Sequence, residues 1–376
     1  MNYIGSKYSL LKFIERSVHS VGLRQGVFCD LFAGTAVVGH HFKKLGFQVI
    51  ANDWQEYAYV FAKALVETSH WPHLNGLAEE LKDFSAIHQC QLRLFETVPE
   101  IEQPYYQVLE YLNALPGVEG FIYRNYCPGG SEDLRRYYSD ANGRHCDAIR
   151  QQLNKWKQAG KITEMEFYLL LATLLEAIDA VANTASVYGA FLKQFKSVAR
   201  KPLLLRPLRL ITGAGSRACK RDANELSQEI ECDVLYLDPP YNGRQFSSNY
   251  HVLETIAAYD APPLTGKTGL RPAEHQKSRF CSRRLAREAL REIIHDCQAR
   301  HIFLSYNDEG IISHTELEAI LRSVRTRRYH VFTKTHPRFR ADIDRENRRY
   351  APRVQVTEYL FYIEKDCAAR PRRAIA

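Results

Sequence analysis

The chain has 376 residues, 45% of them apolar and 25% charged, the balance of a folded globular protein with a substantial core. Fifty-one Lys and Arg against 43 Asp and Glu leave a net charge of +8, which admits a polyanionic partner without demanding one. No apolar run reaches the roughly 18–20 residues of a membrane span. Nine scattered cysteines with no Cys-x-x-Cys pair argue against a disulfide framework and a zinc ribbon, so no metal is expected and the thiols read as reduced, in a cytoplasmic protein.

The start, Met1-Asn2-Tyr3-Ile4-Gly5-Ser6-Lys7, lacks the charged-then-apolar profile of a secretory leader. Gly26–Phe32 is a short apolar run ending in polar and Gly-rich residues, the pattern of a buried parallel strand. Val37–Leu45 reads as a helix and Phe47–Ala51 as the next strand, so the three make a βαβ unit in a parallel α/β sheet. From about Glu67 to Leu205 helical periodicities take over, broken by the turn Cys127-Pro128-Gly129-Gly130-Ser131. Within that stretch Phe167–Ala182, interrupted by Glu176 and Asp179, reads as a buried helix. Strand patterns return at Cys232–Leu237 and His301–Tyr306. The expectation is an α/β domain built from residues 1–66 and 206–376, with a mainly helical insert over 67–205.

Charge is unevenly spread. Glu67–Tyr123 carries two basic and nine acidic residues, whereas Lys193–Arg221 has nine basic residues and no acid. A second basic stretch, Arg322–Arg353, has eleven basic and three acidic residues, with Tyr329, His330, Phe332, His336 and Phe339 interleaved. One such run is ordinarily a solvated face; two, one of them interleaved with aromatics, point to nucleic acid, with both runs lining a cleft.

The first chemical constellation is Asp30-Leu31-Phe32-Ala33-Gly34-Thr35, directly after a strand and opening a helix. Gly34 lets the backbone turn sharply and approach a ligand without a Cβ in the way, and the helix start supplies free N–H groups. Asp53 follows at the end of the next strand, placed to accept hydrogen bonds from ribose hydroxyls. Together they describe a site for an adenosine-containing cofactor, though a plain strand–loop–helix turn with a capping Asp fits these residues equally. The spacing is not Gly-x-Gly-x-x-Gly, which disfavours a nicotinamide dinucleotide.

The second constellation is Asp238-Pro239-Pro240-Tyr241 at a strand end. A tetrapeptide of this kind arises by chance in on the order of one in a hundred such chains. Two prolines fix the loop and remove two N–H donors, leaving the Asp238 carboxylate and the Pro239 carbonyl as an acceptor-only surface. That surface suits an exocyclic –NH2 group, and Tyr241 offers a ring on which a base can stack. Holding both amino hydrogens localises the nitrogen lone pair and aims it at an electrophile, so the rate gain comes from positioning and electrostatics.

At these motifs the sequence resembles the Dam-like N6-adenine DNA methyltransferases over most of its length. That family uses S-adenosyl-L-methionine and places Phe-x-Gly ahead of Asp-Pro-Pro-Tyr, with the target-recognition domain between them. The resemblance implies a Rossmann-like methyltransferase sheet in which the helical insert reads DNA. Tyr3 and Lys7 would belong to the N-terminal cofactor motif, with Lys7 near the methionine carboxylate. Phe32 and Gly34, flanked by Asp30, Ala33 and Thr35, would form the methionine-binding loop; Asp53 would hold the ribose, and Asp222 would lie beside the adenine. Asp238, Pro239, Pro240 and Tyr241 would form the catalytic loop, Asp238 also bordering the cofactor, and Ser305-Tyr306-Asn307 would wall the target-base pocket. Asn183-Thr184, Phe191-Leu192-Lys193 and the stretch from Asn242 through Tyr250, His251 and Glu254 are similar to one subgroup. Position 36 holds Ala where many members have a second glycine, and cofactor binding is expected to survive it.

The resulting expectation is a site-specific enzyme methylating a flipped adenine in double-stranded DNA, with a cognate restriction endonuclease as the partner such a system would add. Lys193, Lys196, Arg200, Lys201, Arg244, Asn307, Lys334, Arg338 and Arg340 are the expected DNA contacts. An RNA adenine or cytosine N4 presents the same amino geometry, but Asp at 238 and the motif order favour adenine. A catalytically silent DNA-binding relative would have no need of Gly34, Asp53, Asp238 and Tyr241 together.

Overall fold

The computed structural model describes residues 3–87, 99–213, 215–273, 276–337 and 355–366. Its strands are β1 (Val27–Asp30), β2 (Gln48–Asn52), β3 (Arg217–Cys219), β4 (Val234–Leu237), β5 (His301–Asn307), β6 (Thr326–Pro337) and β7 (Gln355–Lys365). They form one sheet in the order β3-β2-β1-β4-β5-β7-β6. The first five run parallel, and β7 is antiparallel to both β5 and β6. The fold is therefore α/β with a mixed seven-strand sheet.

Alternation along the strands divides the interior in two, because successive side chains point to opposite faces. Phe28, Val49, Val234, Tyr236, Phe303, Leu360 and Tyr362 face one core; Cys29, Ile50, Leu235, Leu237, Ile302, Leu304, Phe361 and Ile363 face the other. The first face is covered by α1 (Leu11–Ser20), α2 (Val37–Lys44) and α3 (Glu56–Ala62). The chain then runs through α4 (Ala78–Ile87), α5 (Gln103–Asn113), α6 (Phe121–Tyr126), α7 (Asp140–Gln158) and α8 (Glu164–Ala180) before entering β3. Leu109, Ile149, Leu170 and Ile178 from this helical stretch join the same continuous core as Phe28 and Tyr236. Beyond β3 come α9 (Ala223–Glu229), α10 (Phe246–Asn249), α11 (His251–Ala258), α12 (Arg283–Asp296) and α13 (His314–Leu321). Of these, α9, α12 and α13 pack on the second face through Leu226, Ile293 and Leu317, among others.

Helix ends are fixed by local chemistry. Thr163 with Glu166 and Ser313 with Glu316 form capping boxes at the starts of α8 and α13, each satisfying two otherwise open N–H groups. Two caps come from far away in sequence. Glu254 accepts the N–H groups of Glu56 and Tyr57 at the start of α3, and Asp147 accepts those of Ile122 and Tyr123 in α6. The ammonium of Lys365 donates to the carbonyls of Ile294, His295 and Cys297 at the end of α12, where the helix dipole favours a cation.

The strands read from sequence are present, with three further ones, of which β3 and β6 lie within the two basic stretches. Twelve residues of the second basic stretch are strand β6, which lies at the sheet edge. Its register corrects the expectation that the whole stretch lines a cleft. Arg328 pairs with Glu364, which pairs with His301 at the start of β5, so Arg322–Arg328 sit at the end of the sheet opposite to Asp238. There Arg322, Arg325, Arg327 and Arg328 pair with Glu318, Asp366 and Glu364. Only the last third of β6, from about Lys334, reaches the end of the sheet at which Asp238 lies. Arg338 and Arg340 lie outside the described residues. No helix of the described residues is long and apolar enough to cross a membrane.

Candidate active site

The carboxyl ends of β1, β2 and β4 open onto a cleft of about 1160 Å³, counted to its open mouth. This is where an open α/β sheet binds ligands, at the point where strand order reverses around β1. Tyr3, Lys7, Asp30, Phe32, Ala33, Gly34, Thr35, Asp53, Asp222, Asp238, Pro239, Pro240 and Tyr241 all border this one space. Residues up to 238 positions apart in the chain are thus gathered by the fold as the motifs required.

The loop after β1 is held from below. Gly34 has a φ of +52°, and a Cβ there would fall 3.0 Å from the Tyr3 ring, so only glycine keeps the loop bare. Its N–H donates to Asp53 Oδ2 over 2.9 Å, and Gln55 N–H donates to Asp53 Oδ1 over 3.0 Å. Burial pushes the Asp53 carboxyl upward against these hydrogen bonds. Asn52 locks the neighbouring turns by donating to the carbonyls of Leu31 and Arg221. Asp30 is buried and accepts Gly39 N–H at 3.0 Å; burial, reinforced by Asp238, pushes its carboxyl up to about 8. Ala36 adopts the left-handed conformation (φ 58°) and is fully buried, with its methyl off the cleft wall.

At the β4 end, Lys7 is buried and its ammonium lies 3.1 Å from Asp238 Oδ1. The contact is a short, buried ion pair, and Oδ1 has no other partner among the described residues. Burial pushes the Asp238 carboxyl up to about 6, against the pull of the Lys7 charge. Lys7 stays charged: burial opposes it, but Asp238, Tyr241 and Glu358 outweigh burial. The Lys7 ammonium is also 5.2 Å from the centre of the Tyr241 ring, which meets Tyr306 edge-on at 5.5 Å.

Asp222 caps α9 by accepting the N–H groups of Asn224 and Glu225, and its side chain borders the cleft. Phe32 meets Phe280 edge-on at 5.0 Å. Phe280 and Trp54, both on the wall, were not singled out from sequence; Trp54 directly follows Asp53 and was the more legible of the two.

Several expected contacts lie elsewhere. Asn307 lies in a neighbouring groove with Arg283 and Ile311, its side chain accepting Glu309 N–H. Lys193, Arg200, Lys201 and Arg244 are exposed, whereas Lys196 donates its ammonium to the Thr184 carbonyl at 2.9 Å. Lys334 reaches the Ser9 carbonyl. Asn183 is a buried clamp for the loop that follows it, bonding Arg136, Leu192 and Lys196 backbone groups. Tyr250 stacks on Tyr3 at 4.6 Å and its hydroxyl accepts Ile4 N–H, bracing the N-terminal motif. His251 is a packed imidazole bonded to the Tyr188 carbonyl, and burial lowers its pKa to about 4, which keeps it neutral.

The profile described as D12 class N6 adenine-specific DNA methyltransferase matches residues 3–320. The chain belongs to that family. It is 42% identical to the Type II methyltransferase M.NlaIII of Neisseria lactamica over 371 residues, 97% of this chain and 99% of that one. It is 36% identical to the Type II methyltransferase M.FokI of Planomicrobium okeanokoites across 98% of this chain, which spans 53% of that longer protein. The Type II methyltransferase M.CviAII of Paramecium bursaria Chlorella virus 1 is 30% identical over 365 residues, 96% of this chain and 98% of that one. This D12 methyltransferase thus brings Asp238–Tyr241 and the Gly34 loop together in one cleft.

Proposed function

We propose that the enzyme transfers the methyl group of S-adenosyl-L-methionine to N6 of an adenine swung out of duplex DNA at a specific site. The observation that carries this reading is the Asp238 carboxylate, paired with Lys7 alone through Oδ1, in the wall that also holds the Gly34 loop and Asp53. The cleft fits the cofactor: it has a strand-end acid for a ribose diol, aromatic rings at Phe32 and Phe280, and a bare loop at Gly34. Tyr3, Phe32, Gly34, Asp53 and Asp222 would hold the cofactor, which when bound supplies a sulfonium methyl group as electrophile.

The chain's own residues do the rest. Asp238 and the Pro239 carbonyl accept the two amino hydrogens, localising the nitrogen lone pair, while Tyr241 stacks on the base. As the C–N bond forms and the S–C bond breaks, the amino nitrogen becomes strongly acidic. Asp238, with its pKa near 6, then receives one proton and passes it to solvent. Lys7 holds the carboxylate in place until the base arrives.

In this reading residues 67–205 form the target-recognition domain, and residues 1–66 with 206–376 form the catalytic domain. Lys193, Arg200, Lys201 and Arg244 grip phosphates. The enzyme acts in the cytoplasm beside a restriction endonuclease of the same specificity. Nucleoside mass spectrometry after reaction with isotopically labelled cofactor tests the assignment. Label in N6-methyladenine of duplex DNA supports it; label in N4-methylcytosine or only in RNA overturns it.

A further inference from the structure

The buried charge at the end of β4 has a third member that the proposed mechanism does not use. Glu358 lies on β7, opposite Asn307 of β5 and Lys334 of β6, near the catalytic end of the sheet. It is 6% exposed. Alternation along β7 turns it to the face of Leu360 and Tyr362, the face that Val234 and Tyr236 share and toward which Asp238 continues. Among the described residues its Oε2 has no hydrogen-bond partner, and it stands 3.9 Å from the Lys7 ammonium. Lys7 is therefore flanked by two carboxylates, Asp238 at 3.1 Å and Glu358 at 3.9 Å, the second too far for a hydrogen bond. A buried carboxylate left in this condition is costly, and a well-packed apolar residue would be cheaper for the fold. Glu358 also lies beyond residues 3–320, so the family match does not account for it.

We propose that Glu358 is a positioning residue that shares the Lys7 ammonium with Asp238 and draws it aside when Asp238 takes up the amino group of the target base. The lone pairs of Asp238 cannot serve Lys7 and the adenine hydrogens equally well. A second carboxylate keeps Lys7 charged and within the site while weakening its hold on Asp238. Glu358 touches neither substrate nor cofactor and works only through Lys7. Its removal slows transfer and leaves binding intact.

The inference rests on the methyl-transfer reading above. Its test is a double-mutant cycle in single-turnover assays at saturating cofactor and duplex, using Glu358→Gln, Lys7→Met and the pair. Glu358→Gln is expected to slow transfer about ten-fold, with dissociation constants for S-adenosyl-L-methionine and duplex unchanged. In the Lys7→Met background the same substitution is expected to change nothing further. A wild-type rate for Glu358→Gln, or costs that multiply in the double variant, overturns the proposal. If Glu358→Gln melts below the assay temperature, Glu358→Asp, which withdraws the charge by one methylene, carries the test. Transfer slower than wild type is then expected, and an unchanged rate counts against the role. Unmethylated DNA with the wild-type enzyme would sink the reading of the reaction, whereas fast transfer by Glu358→Gln sinks only the role of Glu358.

Discussion

The Gly34 N–H donates to the Asp53 carboxylate over 2.9 Å, joining the loop after β1 to the end of β2. The acid expected to hold a ribose is therefore also the anchor of the glycine loop. Asp53→Ala should weaken S-adenosyl-L-methionine binding at least about ten-fold, since it removes an acceptor and leaves a buried N–H unpaired. Calorimetric titration measures this. An unchanged affinity would place the ribose elsewhere.

Ala36 occupies a left-handed backbone position at full burial. A Cβ there costs roughly 1–2 kcal/mol relative to glycine. Ala36→Gly should accordingly raise the unfolding free energy by about 1 kcal/mol after the flexibility glycine adds to the unfolded chain. Urea denaturation should show a higher midpoint with an unchanged slope, and cofactor affinity should stay as it is, because the methyl is off the cleft wall.

The cleft was legible because its chemistry sits in contiguous motifs at strand ends. Asp30–Thr35, Asp53 and Asp238–Tyr241 each announce themselves by residue type and by the apolar run before them. What escaped was fixed by distant pairing. β3 is three residues long with a partly exposed face, too short to show a period. β6 alternates on a sheet edge, and its arginines drew attention to charge rather than to the strand that carries them. Glu358 and Lys365 interrupt the apolar alternation of β7, and both are buried only because the fold supplies them with partners. The roles of Tyr250 and Glu254 depend on contacts with Ile4 and Glu56, 246 and 198 residues away, which no local pattern encodes.

Asp30 makes stability depend on pH. Burial raises its folded pKa from 3.8 to about 8, so the native chain keeps a proton that the unfolded chain releases across that window. Stability should therefore fall as pH rises between these values, and Asp238, raised to about 6, adds to the slope in the lower part. Asp30→Asn keeps an acceptor for Gly39 N–H and removes the charge. It should flatten the profile and exceed the wild type in stability near pH 8, as denaturant titrations at about pH 5 and about pH 8 would reveal.

DNA affinity should drop steeply with added salt, as expected for phosphate contacts. The exposed Lys193, Arg200 and Lys201 should carry part of that slope, so their alanine variants should bind more weakly and less salt-dependently. Arg325 and Arg327, ion-paired to Asp366 near the opposite end of the sheet, should leave the slope unchanged when replaced. Fluorescence anisotropy across a salt series distinguishes the two sets.

The central claim is that Asp238 orients the adenine amino group and does not hold the cofactor's affinity. Asp238→Asn preserves the shape of the loop while exchanging one acceptor for a donor. Measured side by side, single-turnover methyl transfer to duplex DNA should fall at least about a hundred-fold, with S-adenosyl-L-methionine affinity nearly intact. Transfer at the wild-type rate in that variant would contradict the account.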